Sequence, residues 1–201
     1  MTPADLTRPR SARAHDAVLT ATRELLREGG LPAATVDAIA ARSGVSKATI
    51  YKHWPTRTAI AAEAFGEEMA AATPVPDTGS ARGDMVAQVR QVSAFYASDE
   101  GRVFAQLLAA GVTDPDGAEY FRRYFLAGRR ESTRVIWQRA ADRGEVRDGI
   151  DVDTAADILF GGLIYRLLNG NTPLTKERAD AIADAAIGGL LVDGGGASAK
   201  P

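Results

Sequence analysis

Residues 35–60 read TVDAIAARSGVSKATIYKHWPTRTAI, and this stretch decides the fold. Thr35 can cap a helix N-terminus, because its hydroxyl accepts from a free backbone N–H. Val36, Ile39 and Ala40 then share one helical face. Ser43-Gly44-Val45 breaks the helix, and Gly44 can take the left-handed angles of a C-terminal cap. Ser46 is positioned to cap a second helix. On that helix Ile50 and Trp54, four apart, point inward beside Val45, leaving Lys47, Ala48, Tyr51 and Lys52 outside. Pro55 suits the first turn of a third helix, where its missing N–H costs nothing. Two helices joined by a short turn containing glycine form a helix-turn-helix. The second helix carries Lys47, Thr49, Tyr51, Lys52 and His53, all donors suited to phosphates or base edges.

Working outward, a first helix is expected over Arg10–Glu28, with Ala14, Val18, Ala21, Thr22 and Leu25 inward and Gly29-Gly30 as its stop. A connecting helix should run over residues 55–72. The run TPVPDTGS over 73–80 reads as a loop, since prolines and glycine break a helix there. Helical patterns resume over 83–97, 100–110, 115–143, 153–169 and 175–192, and strand-like alternation is nowhere sustained. The expected fold is therefore all-α with about nine helices. It comprises a helix-turn-helix DNA-binding domain over 1–57, a larger helical body over 73–192 and a disordered tail over 193–201.

The net charge of −2 conceals a split. Residues 1–57 hold nine Lys and Arg against five Asp and Glu, a net of +4, and the remainder holds 15 against 21, a net of −6. A polyanion would attract the basic end and repel the acidic bulk. The alternative, chance clustering on solvated surfaces, loses weight where the charge coincides with the motif. The chain has no cysteine, so it has no disulfides and no thiolate metal site. The opening MTPADLTRPRSARAH has no apolar run, so neither a signal peptide nor a membrane span is expected, and the expected location is cytoplasmic.

The pattern G-(x)4-T-V-x-x-I-A-x-x-x-G-V-S-x-x-T-I-Y-x-H-W, present from Gly30 to Trp54, resembles the DNA-binding domain of the TetR family of bacterial repressors. The resemblance runs from about Ala14 to Ala64. Thr35, Ile39, Ala40, Gly44, Val45, Ser46, Thr49, Ile50, Tyr51 and His53 stand at the family's spacing. Ala48, Trp54 and Arg57 depart from it, replacing the commoner glycine, phenylalanine and lysine. Arg57 keeps the charge and adds a bidentate fork.

The candidate DNA-binding residues are Thr35, Ser46, Lys47, Ala48, Thr49, Tyr51, Lys52, His53 and Arg57. Lys47 can reach guanine O6 and N7, and Ala48 can press its methyl group on thymine. Thr49, Tyr51 and His53 suit phosphates, Lys52 either role, and Thr35 a phosphate at its helix N-terminus. Tyr51 could instead pack on the first helix.

One such head reads few base pairs, and specific binding near ~10⁻⁸ M needs two heads on two half-sites. The helix over 153–169 is apolar on two faces, and the last helix carries a stripe of small and branched residues. Ile158, Leu159, Gly162, Ile182, Ala183, Ala186, Ile187 and Leu190 are expected to meet a second copy, unless these helices pack only within one chain. The resemblance also implies a homodimer.

The resemblance further implies a small, largely apolar effector held among Phe95, Phe104, Leu107, Phe121, Tyr124, Phe125, Trp137 and Arg166, in a pocket of roughly 300–1,000 Å³ if typical. An aromatic stripe at helical spacing can equally be core. Arg166 could bridge to Glu131 or Asp157 or address a ligand.

The expected function is a transcriptional regulator, a repressor released from a near-palindromic operator by its effector. The rival is a non-inducible dimeric or architectural DNA-binding protein. Enzymatic readings find no support: there are two histidines, His15 and His53, and no catalytic motif, cofactor loop or paired Glu-x-x-His metal site.

Overall fold

Side-chain caps fix where the helices begin. The computed structural model describes residues 10–70, 75–170 and 173–192, and the expected disordered tail lies outside them. The helices are α1 Arg10–Ala33, α2 Val36–Ser43, α3 Lys47–His53, α4 Arg57–Ala70, α5 Ala81–Tyr96, α6 Asp99–Ala110, α7 Pro115–Phe121, α8 Ala127–Asp142, α9 Val152–Asn169 and α10 Lys176–Leu190. A π-helical turn, Arg122–Leu126, joins α7 to α8. Among the described residues there is no strand, only an isolated bridge between Val146 and Leu191.

The differences from expectation have local causes. The pattern over 115–143 is divided by the π-helical turn, which gives ten described α-helices instead of about nine. Pro55 stands outside α4, because the Thr56 hydroxyl accepts from Ala59 N at 3.1 Å and takes the cap. Ser80 accepts from Gly83 N at 3.1 Å, so α5 begins at Ala81 rather than Gly83. In α1 the regular helix does stop at the double glycine. Gly30 has φ 67° and ψ −162°, angles that glycine alone adopts readily, and a short turn continues to Ala33.

The expected single boundary near residue 73 is one of three crossings of the chain between two compact units. The first unit comprises Met1–Ala72 and Arg102–Ala127. Its described core holds Leu19, Leu25, Ile39, Ile50, Trp54, Ile60, Phe65, Phe104 and Phe121. α4 lies at its centre, against α1, α7 and the π-helical turn. The second unit comprises Thr73–Gly101 and Gly128–Pro201. There α5, α9 and α10 pack on one another around Met85, Val89, Leu159, Leu163, Ala183, Ile187 and Leu190. No described helix is long and apolar enough to cross a membrane.

Candidate nucleic-acid interface

The helix-turn-helix is built as its residues dictate. Thr35 Oγ1 accepts from Ala38 N at 3.1 Å and starts α2. Gly44, at φ 70°, ends α2 by donating its N–H to Ala40 O at 3.0 Å. Ser46 Oγ accepts from Thr49 N at 3.3 Å and starts α3. Ile50 and Trp54 are fully buried, which anchors α3 from one side.

The opposite side of α3 faces solvent. Lys47, Ala48, Lys52 and His53 are exposed, and Tyr51 is 55% exposed. The Tyr51 side chain is thus more exposed than covered. Arg57 is also exposed, while Thr49 is half-buried with its hydroxyl 2.9 Å from Ser46 Oγ. Thr35 and Ser46 present exposed hydroxyls already engaged as caps. The Lys47 ammonium pairs with Asp37, whose hydrogen bond and then its charge raise the lysine pKa. Two cations and a phenol thus project from one face of a seven-residue helix.

Some unpredicted residues close the back of this face. Glu63 is buried, accepting from Trp54 Nε1 at 2.6 Å and lying 3.0 Å from His15 Nε2. The Tyr120 hydroxyl donates to His53 O at 3.2 Å. A lone carboxylate inside the apolar run AIAAEAF over 59–65 was the available signal for Glu63. His15, Glu63 and Glu67 bring ligating atoms within 4.8 Å of one another. However, Glu63 is held as above, and Glu67 receives the Arg23 guanidinium at 2.6 Å.

The expected effector residues divide between the two units. In the first, Phe104, Phe121 and Phe125 pack with ring centroids 5.1–5.5 Å apart, and Phe65 lies 5.3 Å from Phe125. Leu107 is fully buried and Tyr124 half-buried. Phe104, Leu107, Phe121 and Phe125 are thus buried, with the three rings packed on one another. In the second unit Trp137 borders a cavity of about 10 Å³ together with Met85, Gln88, Thr133, Ile136, Leu159 and Phe160. That is room for about one water, well below the expected pocket. Phe95 is half-buried with its ring 5.7 Å from Tyr96. Arg166 borders an open groove of about 410 Å³ with Tyr96, Leu167, Pro173 and Leu174. Neither expected bridge from Arg166 forms: Glu131 pairs with Arg134 at 2.8 Å, and no described contact joins Arg166 to Asp157.

The expected dimer residues also need correction. Leu159, Ala183, Ala186, Ile187 and Leu190 are buried within the chain, because α9 and α10 turn these faces onto each other and α5. Ile182 is half-buried, close to Gly162. What remains exposed is Ile158, Gly161, Gly162, Tyr165 and Leu168 on α9, and Ala181, Ala185, Gly188 and Gly189 on α10.

Residues 18–64 match bacterial regulatory proteins of the tetR family, and residues 75–186 match the tetracyclin repressor-like C-terminal domain. The HTH-type transcriptional regulator YdeS of Bacillus subtilis (strain 168) is 39% identical over 80% of this chain and 81% of its own. The crystal structure of the TetR family transcription regulator SCO0332 aligns with TM-score 0.72 at 32% identity, covering 88% of this chain and 97% of that one. The regulator FadR from Bacillus subtilis, solved with stearoyl-CoA, shares the fold at TM-score 0.53 and 17% identity, covering 89% of this chain and 98% of its own. The chain belongs to the TetR family of helix-turn-helix transcriptional regulators, which are DNA-binding proteins and not enzymes.

Proposed function

We propose that the protein is a cytoplasmic homodimeric repressor that occupies a near-palindromic operator and leaves it when a small, largely apolar effector binds. The observation that carries this reading is the outer side of α3, where Lys47, Ala48, Tyr51 and Lys52 face solvent over a rigid apolar anchor. Such a helix fits the major groove, with its N-terminal residues at base edges. The apolar stripe Ile158–Gly161–Tyr165–Leu168 and the small residues of α10 favour pairing with a second copy. Pairing supplies the second head that a specific site needs.

For the effector we favour the space around Trp137 and Gln88. Gln88 is 3% exposed, and no described donor reaches its Oε1. A buried acceptor left in this way costs roughly 1–3 kcal/mol, which a ligand's donor would recover. A ligand there must push α8 and α9 apart, and it shifts the equilibrium only by its preference for the opened state. FadR, solved with stearoyl-CoA, is consistent with a ligand site in this fold.

The test begins with selection of duplexes from a randomised pool by the full-length protein. A near-palindromic consensus is expected. A thermal-shift screen of small hydrophobic compounds follows, and compounds that raise the melting temperature should release the selected duplex. Selection without any such compound would leave the non-inducible reading in place, and failure to select any sequence would refute the regulator reading of α3.

A further inference from the structure

Glu63 stands in an apolar stretch of α4, is 5% exposed, and still carries a carboxylate. Burying such a group is costly unless donors surround it. Here Trp54, His15 and Tyr124 approach it from three other elements. Trp54, which follows α3, donates its indole N–H at 2.6 Å, and His15 of α1 places Nε2 at 3.0 Å. The Tyr124 hydroxyl, in the π-helical turn, faces the same carboxylate, and its pKa is raised by burial first and by the Glu63 charge second.

The indole is a rigid extension of the recognition helix. Trp54 N donates to Ile50 O at 3.0 Å, and the His15 ring stacks on the indole at 4.7 Å and 26°. A second strut runs alongside. The Tyr120 hydroxyl reaches His53 O, the last residue of α3, and the Tyr120 and Tyr124 rings stack at 5.9 Å. All these residues lie in the first compact unit.

α3 is seven residues long, too short to hold itself in water. Its orientation is therefore set by what grips it. Base reading demands placement within about 0.5 Å, whereas phosphate attraction tolerates far looser geometry.

We infer that Glu63 is a positioning residue for DNA reading: it clasps Trp54, fixes the angle at which α3 is presented, and joins that angle to the π-helical turn through Tyr124. The inference rests on α3 being the recognition helix. It adds that the α7 end of the unit controls sequence discrimination through two tyrosine hydroxyls.

The experiment uses the full-length protein, a duplex that it selects from a randomised pool, and an unrelated duplex of equal length. Trp54→Phe keeps a buried ring and deletes the donor. Glu63→Leu deletes the acceptor, and Glu63→Gln retains one for the indole. Trp54→Phe and Glu63→Leu should weaken binding to the selected duplex by about fivefold or more, the worth of one buried hydrogen bond. Binding to the unrelated duplex and its salt dependence should be unchanged. Glu63→Gln should recover most of the preference. Tyr120→Phe and Tyr124→Phe should fall between.

A spectroscopic readout separates positioning from damage. In a Trp137→Phe background the emission of Trp54 reports the clasp alone, since the chain has two tryptophans. The emission maximum should move in Glu63→Leu and stay in Glu63→Gln at unchanged helical content. If Glu63→Leu unfolds, Trp54→Phe and the tyrosine variants decide. Native-like preference in Trp54→Phe, or an equal loss on both duplexes, would overturn the inference. If the native protein selects no duplex, it is the reading of α3 itself that fails.

Discussion

Gly66 of α4 lies against the backbone of Tyr124: a Cβ added to Gly66 would fall 2.5 Å from the Tyr124 carbonyl oxygen and 2.7 Å from its carbon. The obstacle is backbone, so no rotamer change relieves it. The same seam is close at its other end, where a Cβ on Gly117 would meet the Thr58 side chain at 2.6 Å. α4 and the α7–π segment thus touch nearly backbone to backbone, which brings Tyr124 to Glu63. Gly66→Ala should destabilise the fold by about 1–3 kcal/mol through overpacking. The melting temperature should fall by roughly 2–4 °C per kcal/mol at this chain length. Gly128→Ala, with nothing within 4 Å of the added carbon, is the control and should leave the melt unchanged or raise it. Equal melts for the two variants would refute the tight seam.

Lys47 and Asp37 form a second testable pair. The lysine proposed to read a base is held by an acid on the preceding helix, and both are exposed. Asp37→Asn frees the cation and removes a negative charge facing phosphate. Binding at low ionic strength should tighten, and the salt dependence should steepen by about one charge. Lys47→Ala should lower discrimination at one base pair by about tenfold. A uniform loss over all sequences would reassign Lys47 to a phosphate.

The head was legible in the sequence because its signals are local. Thr35, Gly44 and Ser46 act through neighbours within four residues, and the structure places each cap as its spacing requires. The inward Ile50 and Trp54 follow from helical periodicity alone. The partner of Trp54 was not legible, since Glu63 becomes its acceptor only once α4 folds back. Periodicity likewise identified two apolar faces on α9 but not the boundary of what packing covers, since the buried Ala155, Leu159 and Leu163 come from both. Ile158 and Gly162 stayed outside while Leu159 went in, a choice made by tertiary packing. The aromatic residues were ambiguous for the same reason: ring size and spacing do not distinguish a packed cluster from a pocket wall.

Tyr165, 68% exposed at the middle of the α9 stripe, is the residue where an introduced charge should break pairing. Tyr165→Glu places a carboxylate where two copies would meet, and a buried unpaired charge is not tolerated. Sedimentation should show a monomer at micromolar concentration and a dimer for the native chain. Val112→Glu, at a still more exposed position in the turn after α6, should remain dimeric. A native monomer, or a dimeric Tyr165→Glu, would exclude this face.

Asp114 caps α7 and gives the acid limb of stability a specific contributor. Burial raises its pKa, but the Gly117 N–H and the Thr58 and Thr56 hydroxyls together outweigh this, so the net shift is downward. The unfolded chain, with a carboxylate pKa of about 3.9, then takes up the proton first. The contribution is fully present above about pH 4 and is lost as pH falls through the lower folded pKa. Asp114→Asn still caps the helix but does not titrate. The gap in urea midpoint between native and variant should close as pH drops below about 4, and a gap constant with pH would show that Asp114 does not carry the effect.

Gln88 offers the sharpest test of the effector site, because two opposite outcomes are expected from one change. Its amide oxygen is enclosed by Met85, Trp137, Leu159 and Phe160, with no described donor in reach. Methionine has nearly the same length and no polar atom. In Gln88→Met the desolvation cost disappears, so the unliganded protein should gain stability, about 1 kcal/mol or a few degrees of melting temperature. A compound that binds by giving a hydroxyl or N–H to that oxygen should meanwhile lose its stabilising shift. Its analogue lacking the donor should bind native and variant alike. A drop in melting temperature would mean that the amide already has its partner and that the cavity is ordinary core. A full effector response in the variant would move the site elsewhere, and the groove bordered by Arg166 would be the next place to substitute.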